Sequence, residues 1–501
     1  MRRFLLSLVA VIPIPFVPTT PTYSGHPATP APVHGVAPIP QNPYMAANGG
    51  SEIHNDAWQT DAYAWAGPLG RTPQTLSSML VPSRDCGSLA FDRHGRVISI
   101  CVGISGPQLY MFDPNTLATL ATFSLPLRQD VPSNLFQDFT GGGYFYLDNQ
   151  DRVVTSTTTR HIYVIAETPG GFTLQHDYDL SQVLTSTEKI TSALPDAHGL
   201  LWFVARRDGV VGTLKLSTGA VHVLRVGNGA EGEIENSFAT DTGGGGGGGG
   251  GVYIATNRKL YRFVADPGGA PRVTWQARYP NSLQSKLGQV DDGTGTTPTV
   301  MAGGYVNITD NADPMDLVVY RTAVRPTRVI RRHGRRRRVR TGRMVCRVPL
   351  FTRGASDSEN SVIVAGRAMI IENNYGYQGP TSVTAGALTA PGFARVDINR
   401  DGRGCHLVWT NSTERAPTVV SKLSLATGLI YTYTKDPGPL DPWYWTALDF
   451  RTGKTVFKQL AGTGSLGFNN NYAGLALSRR GTAYLGTLGG LIAFRDGTKT
   501  S

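Results

Sequence analysis

Two copies of a Glu-Asn-Ser triplet are the residues of this sequence best suited to binding chemistry. They occur in the stretches IENSFATD and SENSVIVAG. Each stands just before or within a run of β-forming residues, so its polar side chains are expected at the start of a strand. Carboxylate and amide oxygens are the ligands that Ca²⁺ prefers, and they also hydrogen-bond sugars and peptides. Glu235, Asn236, Glu359 and Asn360 are therefore ligand candidates, with Glu235 and Glu359 as the carboxylates of a calcium site.

Other polar side chains share this setting. Three acids stand at comparable strand entries, four residues belong to the polar segment SEIHNDAWQTDAY before the first repeat, and two asparagines belong to ENNYGYQG. These further candidates are His54, Asn55, Asp56, Asp61, Asp85, Asp138, Glu188, Asn373 and Asn374. If the polar segment crosses a channel, His54, Glu235 and Glu359 should approach one point. The alternative is that all these side chains cap strands and join neighbouring repeats.

Internal repetition is the feature that must position these residues. The stretches LAFDRHGRVISI, FYLDNQDRVVTST, ALPDAHGLLWFV, DINRDGRGCHLVWT and LALSRRGTAYLGT alternate apolar residues around a polar turn. That pattern is typical of antiparallel hairpins with one buried face. A second hairpin type follows, as in VGTLKLSTGAVHVLRV, and two hairpins make a four-stranded blade.

Counting such pairs gives seven blades between residues 86 and 461 and an incomplete eighth at 470–497. A strand from residues 57–81 is expected to complete the eighth blade and close the ring, which removes exposed sheet edges. The predicted fold is therefore an all-β propeller of eight four-stranded blades. Seven blades, or an array of β-sandwiches, are the alternatives.

One stretch carries a family resemblance. TALDFRTGKTVFKQ resembles the repeat A-x-D-x-x-T-G-K-x-x-W of pyrroloquinoline-quinone-type propellers, with Phe457 in the Trp position, and RVDINRDGRGCHLVW is a looser copy that retains Trp409. The resemblance implies eight blades around a channel. Quinone dehydrogenases of this family carry adjacent cysteines over the cofactor, whereas no two cysteines here are closer than 15 residues. The cofactor is therefore not carried over.

Common catalytic signatures are missing from the sequence. It contains no G-x-S-x-G, H-E-x-x-H or Walker motif, and its ten His form no close cluster. We therefore predict a propeller that binds a small molecule, carbohydrate or protein at its channel mouth without turnover. No cofactor is predicted, and calcium bound by Glu235 and Glu359 is the alternative. The alternative is a propeller enzyme, either a calcium-dependent hydrolase or lactonase or a quinone-dependent oxidoreductase.

The N-terminus predicts export. Arg2 and Arg3 precede an apolar run from Phe4 to Ile12, which suits a signal peptide and is shorter than the roughly 20 residues that span a bilayer. We assign residues 1–18 to a signal peptide or an uncleaved anchor, 19–43 to a Pro-rich linker and 44–501 to the propeller. The expected location is secreted or associated with the cell envelope.

Four cysteines in an exported chain are consistent with two disulfides. Cys86 and Cys101 flank a predicted hairpin and should fall on one face at diagonal positions. Cys346 and Cys405 would then pair, although four cysteines allow three connectivities, and four free thiols are the alternative. Their spacing does not match a zinc site.

The formal charge of +11 comes almost entirely from one segment, because residues 325–343 hold ten Arg and no acid. Without aromatic residues between its charges, this stretch is not expected to bind nucleic acid specifically. It is interpreted as a solvated loop, and the alternative is docking from Arg325 to Arg343 onto an anionic envelope polymer or lipid. The nine glycines at 243–251 are interpreted as an expanded, disordered turn. A monomer is expected.

Overall fold

Eight small antiparallel sheets, arranged in a ring, make up the computed structural model of this protein. The structure describes residues 20–129, 138, 140–243, 250–332, 335–382, 384, 386–464 and 466–497. The proposed signal peptide at residues 1–18 and the centre of the glycine run, residues 244–249, lie outside these ranges. A short 3-10 turn, Gly229–Glu231, is the helical element of the described residues, none of which forms a helix long and apolar enough to cross a bilayer.

Three strands precede the first blade, namely β1 (Tyr23–Gly25), β2 (Ala62–Tyr63) and β3 (Pro73–Met79). Blade one contains β4 (Arg84–Phe91), β5 (Val97–Gly103), β6 (Gly106–Phe112) and β7 (Thr119–Ser124). Blade two contains β8 (Phe145–Leu147), β9 (Val153–Ser156), β10 (His161–Thr168) and β11 (Gly171–Asp179). Blade three contains β12 (Ile190–Pro195), β13 (Leu201–Ala205), β14 (Val210–Lys215) and β15 (Ala220–Arg225). Blade four contains β16 (Ala239–Thr240), β17 (Val252–Ala255), β18 (Lys259–Ala265) and β19 (Pro271–Arg278).

Blade five contains β20 (Thr299–Met301), β21 (Tyr305–Thr309), β22 (Asp316–Arg321) and β25 (Met344–Pro349), with a separate hairpin of β23 (Thr327–Arg332) and β24 (Arg335–Arg340) inserted before β25. Blade six contains β26 (Ile363–Ala365), β27 (Ala368–Glu372), β28 (Phe393–Ile398) and β29 (Cys405–Asn411). Blade seven contains β30 (Lys422–Ser424), β31 (Leu429–Lys435), β32 (Pro442–Asp449) and β33 (Thr455–Thr463). Blade eight contains β34 (Leu475–Leu477), β35 (Ala483–Thr487) and β36 (Gly490–Asp496).

The eighth blade is completed by the N-terminal strand β3. It pairs antiparallel with β36 along its whole length, from Pro73 opposite Asp496 to Met79 opposite Gly490. The prediction of eight four-stranded blades, with the last one closed by a strand from residues 57–81, is confirmed. An N-terminal strand and the last strand of the propeller thus meet in one sheet, which closes the ring.

Asp side chains shape the repeated turn after the innermost strand. In blade one the Oδ1 atom of Asp92 accepts hydrogen bonds from the backbone N–H groups of His94 and Arg96, at 2.9 and 2.8 Å. Asp148 and Asp196 repeat this arrangement in blades two and three. The carboxylate satisfies backbone donors that the tight turn leaves unpaired, which explains why Asp recurs there.

The stretch DINRDGRGCHLVWT belongs to a different hairpin from the one that its pattern suggests. It forms β28 and β29, the two outer strands of blade six, whereas the other four stretches aligned with it join the first two strands of their blades. Inner and outer hairpins share the same alternation and the same turn residues, so the pattern alone does not distinguish them.

Aromatic side chains fill the space between neighbouring blades. Trp443 and Trp445 on β32 are almost fully buried, and Trp445 stacks on Phe494 of blade eight with ring centroids 5.9 Å apart. Phe457, the residue in the Trp position of the resembling repeat, packs 5.8 Å from the same Phe494 ring. Burial of each such side chain contributes roughly 1.5–3 kcal/mol, so these contacts hold blades seven and eight together.

The Pro-rich segment differs from the linker expected at residues 19–43. From Tyr23 onward it lies on the propeller: β1 pairs with β33, and the N–H groups of Ala31 and Val33 donate to the carbonyls of Thr427 and Leu425 at 2.8 Å. We call residues 20–43 the strap. Proline removes only its own N–H donor, so the residues between the prolines still hydrogen-bond to the blades.

Both predicted disulfides are present. Cys86 and Cys101 face each other directly as register partners of β4 and β5, and not diagonally, because a bulge after Cys86 shifts the register. Cys346 and Cys405 join the outermost strands of blades five and six. The Arg-rich segment, expected as a solvated loop, contains the β23–β24 hairpin, with Thr327 opposite Arg340 and Arg332 opposite Arg335.

Candidate functional site

Residues 45–63 fill one end of the central channel, and we call them the plug. The carbonyl groups of Gly50, Ser51 and Ala57 accept hydrogen bonds from the innermost strands of blades one, two and four. Those of Trp58, Thr60 and Asp61 do the same for blades five, six and seven. A segment that pairs with the inner edge of six blades must lie on the ring axis. The polar segment predicted to cross the channel therefore does so, near the end where the innermost strands finish.

The opposite end of the channel, where the innermost strands begin, holds a small cavity that we call the mouth cavity. Its volume is about 30 Å³, which is room for roughly two water molecules. Ile53 and His54 of the plug line it on one side. The rest of its lining comes from Gly87, Ser88, Gly143, Tyr144, Glu235, Asn236, Glu359, Asn360, Ser361, Val420 and Tyr472. Of the predicted candidates, His54, Glu235, Asn236, Glu359 and Asn360 thus meet here.

The two Glu-Asn-Ser triplets occupy equivalent positions. Glu235 lies four residues before β16 and Glu359 four residues before β26. Segments that enter innermost strands converge on the axis of a ring, so equivalent positions in blades four and six bring their side chains together. Asp291, in the segment that leads into blade five, adds a third carboxyl, which sequence reasoning missed although it also precedes an innermost strand.

Burial dominates the electrostatics of these carboxyls. It raises the pKa of Glu235, whose side chain contacts the Glu359 and Asp291 carboxyls. Burial and then the negative charge of Glu235 raise the pKa of Asp291 and Glu359 well above the usual range. Because like charges in a buried site repel one another, the three carboxyls cannot all be ionised together.

Two acceptor atoms in the lining of the mouth cavity receive no hydrogen bond from an N–H or hydroxyl group of the described residues. They are Oε2 of Glu235 and Oδ1 of Asn360, and the two residues are only 8% and 2% exposed. The Asn360 amide nitrogen donates to Glu372 and to Oδ1 of Asn374, 3.3 Å away, which turns its oxygen away from these partners. An unsatisfied buried acceptor costs about 1–3 kcal/mol, so both atoms favour a donor from a bound molecule.

A row of polar groups runs from the mouth cavity into the plug. Nε2 of His54 lies 3.5 Å from Oγ of Ser361 and 3.4 Å from Oγ1 of Thr297, and Nδ1 of His54 lies 3.1 Å from Oδ1 of Asp61. Asp61 forms a fully buried ion pair with Lys422. Sequence reasoning missed this row because 307 residues separate Ser361 from His54.

Other predicted candidates have structural partners away from the mouth cavity. Asp138 pairs with Arg128 and Glu188 with Arg225, both at 2.6 Å. Asp85 accepts a hydrogen bond from Nδ2 of Asn471 at 3.0 Å. These contacts match the capping and bridging roles that the sequence left as the alternative.

The remaining candidates hold loops in place. Asp56 accepts the N–H of Trp58 at 2.9 Å within the plug, and Asn55 donates to the carbonyl of Ala62 at the same distance. Asn373 donates to the Ala355 carbonyl at 3.0 Å, and Asn374 donates to the Ala416 carbonyl at 2.9 Å. Of this group, Asn374 comes closest to the site, through its contact with Asn360.

The site fits neither a metal cluster nor a quinone. Within the part of the chain that the structure describes, no three His, Cys, Asp or Glu side chains are arranged to hold a metal ion. A tricyclic quinone needs a pocket of several hundred cubic ångströms, whereas the mouth cavity measures about 30 Å³. All four cysteines form disulfides between distant positions, so no adjacent pair faces the cavity.

The ring of eight four-stranded sheets around a plugged channel defines an eight-bladed β-propeller with a candidate site at its mouth. A europium-containing methanol dehydrogenase is similar in structure, with a TM-score of 0.51 and 11% sequence identity over 88% of this chain and 91% of that one. A streptogramin B lyase structure matches with a TM-score of 0.42 and 10% identity over 86% of this chain and 99% of that one. No protein-family model and no curated protein sequence matches the chain. The methanol dehydrogenase supports the propeller fold and, at this identity, nothing about chemistry.

Proposed function

We propose that the protein is an exported propeller that binds a ligand or partner at its channel mouth without chemical turnover. The observation that carries this proposal is the convergence of polar side chains from the plug and several blades on one cavity. Two disulfides are compatible with an oxidising compartment outside the cytoplasm. A small molecule, carbohydrate or protein approaching from the mouth is the expected ligand, and the protein is proposed to act as a monomer.

Blocking the mouth tests this proposal. Gly87 lines the mouth cavity, and a Cβ atom added there meets no atom within 4 Å, so the leucine of Gly87→Leu has room to start and should extend into the mouth. Gly170→Leu is the matched control, because Gly170 is equally unobstructed but lies in an exposed turn of blade two. A library of small molecules, sugars and peptides is screened by thermal shift against the wild type and both variants. Ligands that bind the wild type and Gly170→Leu but not Gly87→Leu support mouth binding. Ligands that bind all three proteins equally contradict it.

A second candidate function, hydrolysis, is favoured by the row of Ser361, His54 and Asp61. A serine hydroxyl beside an imidazole that is itself held by a carboxylate is the arrangement that activates a nucleophile for ester cleavage. Ser361 would attack the ester carbonyl carbon while its proton passes to Nε2 of His54. The ester C–O bond would then break, with the leaving alcohol taking that proton, and water, deprotonated by His54, would hydrolyse the acyl-serine to a carboxylic acid and return the proton to Ser361. A fluorophosphonate probe, which labels activated serines, tests this. If the probe labels the wild type but not Ser361→Ala, the result supports a hydrolase. If the probe does not label the wild type, the result contradicts it.

The Arg-rich hairpin is proposed as a separate docking element for an anionic envelope polymer. Arg336, Arg338 and Arg340 alternate with Arg337 along β24, and all four are exposed, so both faces of the hairpin are positively charged. Replacing residues 327–340 with a short Gly-Ser turn should abolish retention on a polyphosphate resin. The wild-type retention should weaken as salt rises, because counterions screen such contacts. Unchanged retention after the replacement would remove this role.

A further inference from the structure

The mouth cavity combines acidic side chains with acceptors that lack donors. Glu235 and Glu359 line it, and among the described residues of its lining there is no Lys or Arg. Arg206 is the cation that acts on Glu235, and it is already paired with Glu233 at 2.9 Å. Oε2 of Glu235 and Oδ1 of Asn360 are both buried without a donor. The site therefore needs a ligand that brings positive charge and several hydrogen-bond donors.

Size and donor number narrow the class of that ligand. A volume of about 30 Å³ favours a small head group over a bulky one such as trimethylammonium. A metal ion would need several ligands grouped around it, and no three His, Cys, Asp or Glu side chains among the described residues form such a group. A primary ammonium carries one positive charge and three donors on a single nitrogen, as the lysine side chain does.

We propose that the mouth cavity binds the primary ammonium group of an organic amine, with Oε2 of Glu235 and Oδ1 of Asn360 as acceptors. In the bound state, the aliphatic part of the amine extends out through the mouth beside Tyr144 and Tyr472, which line the same cavity. This inference rests on the proposed ligand-binding function and names the chemical class that the site selects. The positive charge of the ammonium favours the ionised form of Glu235, because an opposite charge close by stabilises a carboxylate.

Isothermal titration with n-butylamine tests the proposal, using n-butanol, butyltrimethylammonium and calcium chloride as comparison ligands. Glu235→Gln keeps the shape of the side chain and removes its charge. Glu231→Gln is the matched control, because Glu231 is an exposed acid on the same segment. The wild type and Glu231→Gln should bind butylamine, and Glu235→Gln should bind at least about ten-fold more weakly, as expected for the loss of a charge-assisted hydrogen bond. Thermal unfolding of each variant verifies that it is folded.

Each other result has a definite meaning. Equal binding of n-butanol or of butyltrimethylammonium would overturn the ammonium assignment, and so would calcium binding that depends on Glu235. If ligands of another class bind the wild type but not Gly87→Leu, the ammonium proposal fails while the proposed function stands. If no ligand distinguishes Gly87→Leu from Gly170→Leu, both fail.

Discussion

Replacing Glu372 with glutamine should stabilise the protein at alkaline pH and leave it unchanged at acid pH. Glu372 ends β27, is 4% exposed and accepts hydrogen bonds from the amide of Asn360 and from Oγ of Ser421, the latter at 2.7 Å. Glutamine keeps the acceptor for Asn360. Its new NH₂ group can donate to the Ser421 hydroxyl, which has Thr432 as a second acceptor 2.9 Å away. The substitution therefore removes a buried charge without orphaning a partner.

The magnitude follows from the proton that Glu372 holds. Burial raises its pKa from 4.5 to about 8. In the unfolded chain Glu372 loses its proton near pH 4.5, whereas in the folded protein it keeps the proton up to about pH 8. The stabilisation by the protonated group is therefore fully present below pH 4.5 and is lost as the pH rises to about 8. At about 1.4 kcal/mol per pH unit, the wild type loses roughly 5 kcal/mol across this interval, and the glutamine variant loses none of it. An unfolding entropy of about 2.1 cal/mol/K per residue converts this into roughly 5 °C.

The assay is thermal unfolding of the wild type and Glu372→Gln at about pH 4 and pH 9. The quantity of interest is how the difference in Tm between the two proteins changes with pH, since any constant effect of the substitution cancels. Glu231→Gln, which alters an exposed acid, should show no such change. A Tm difference for Glu372→Gln that is the same at both pH values, or that favours the wild type at pH 9, would refute the reasoning.

Two further predictions concern stability. Lys422→Met leaves Asp61 buried without its cation and should lower the free energy of unfolding by about 3–5 kcal/mol. Adding Asp61→Asn to that variant should recover part of the loss. Equal urea midpoints for the wild type, the single variant and the double variant would contradict a tight ion pair. Cys346→Ser with Cys405→Ser opens a link between residues 59 apart and should cost up to about 4 kcal/mol. A reductant should therefore lower the Tm of the wild type more than that of the double variant, which keeps only the Cys86–Cys101 bond.

The blades could be predicted from the sequence because their signals are local. Alternating apolar residues and Asp turns such as Asp92 and Asp148 repeat within each hairpin, and the missing strand of blade eight pointed to the N-terminus. The strap could not be predicted, since its structure depends on carbonyl groups of blade seven that accept from residues such as Ala31 and Val33. Proline content shows that a segment cannot form a strand by itself, but not what it lies against.

The site was predictable only in part, for a similar reason. Glu235 and Glu359 were found because they occupy equivalent positions before two innermost strands. Asp138 and Glu188 also precede innermost strands, yet Arg128 and Arg225 pair with them. The packing of neighbouring loops decides which acid forms an ion pair with an arginine. The sequence of the repeat that contains the acid does not reveal that packing. The contact between His54 and Ser361 is likewise set by the path of the plug across the ring.

The plug ties the stability of the ring to the geometry of its mouth. Its carbonyls accept hydrogen bonds from six blades, and the same segment supplies His54. Asp61 contacts the His54 ring, and Lys422 forms an ion pair with Asp61. The plug fills the far end of the channel, so a ligand of the mouth cavity must enter and leave at the mouth. Any part of the ligand larger than about 30 Å³ must therefore remain outside the cavity, against the segments that lead into the innermost strands. Selectivity for the buried group then depends on Glu235 and Asn360, whereas selectivity for the rest of the ligand depends on residues at the rim, such as Tyr144 and Tyr472.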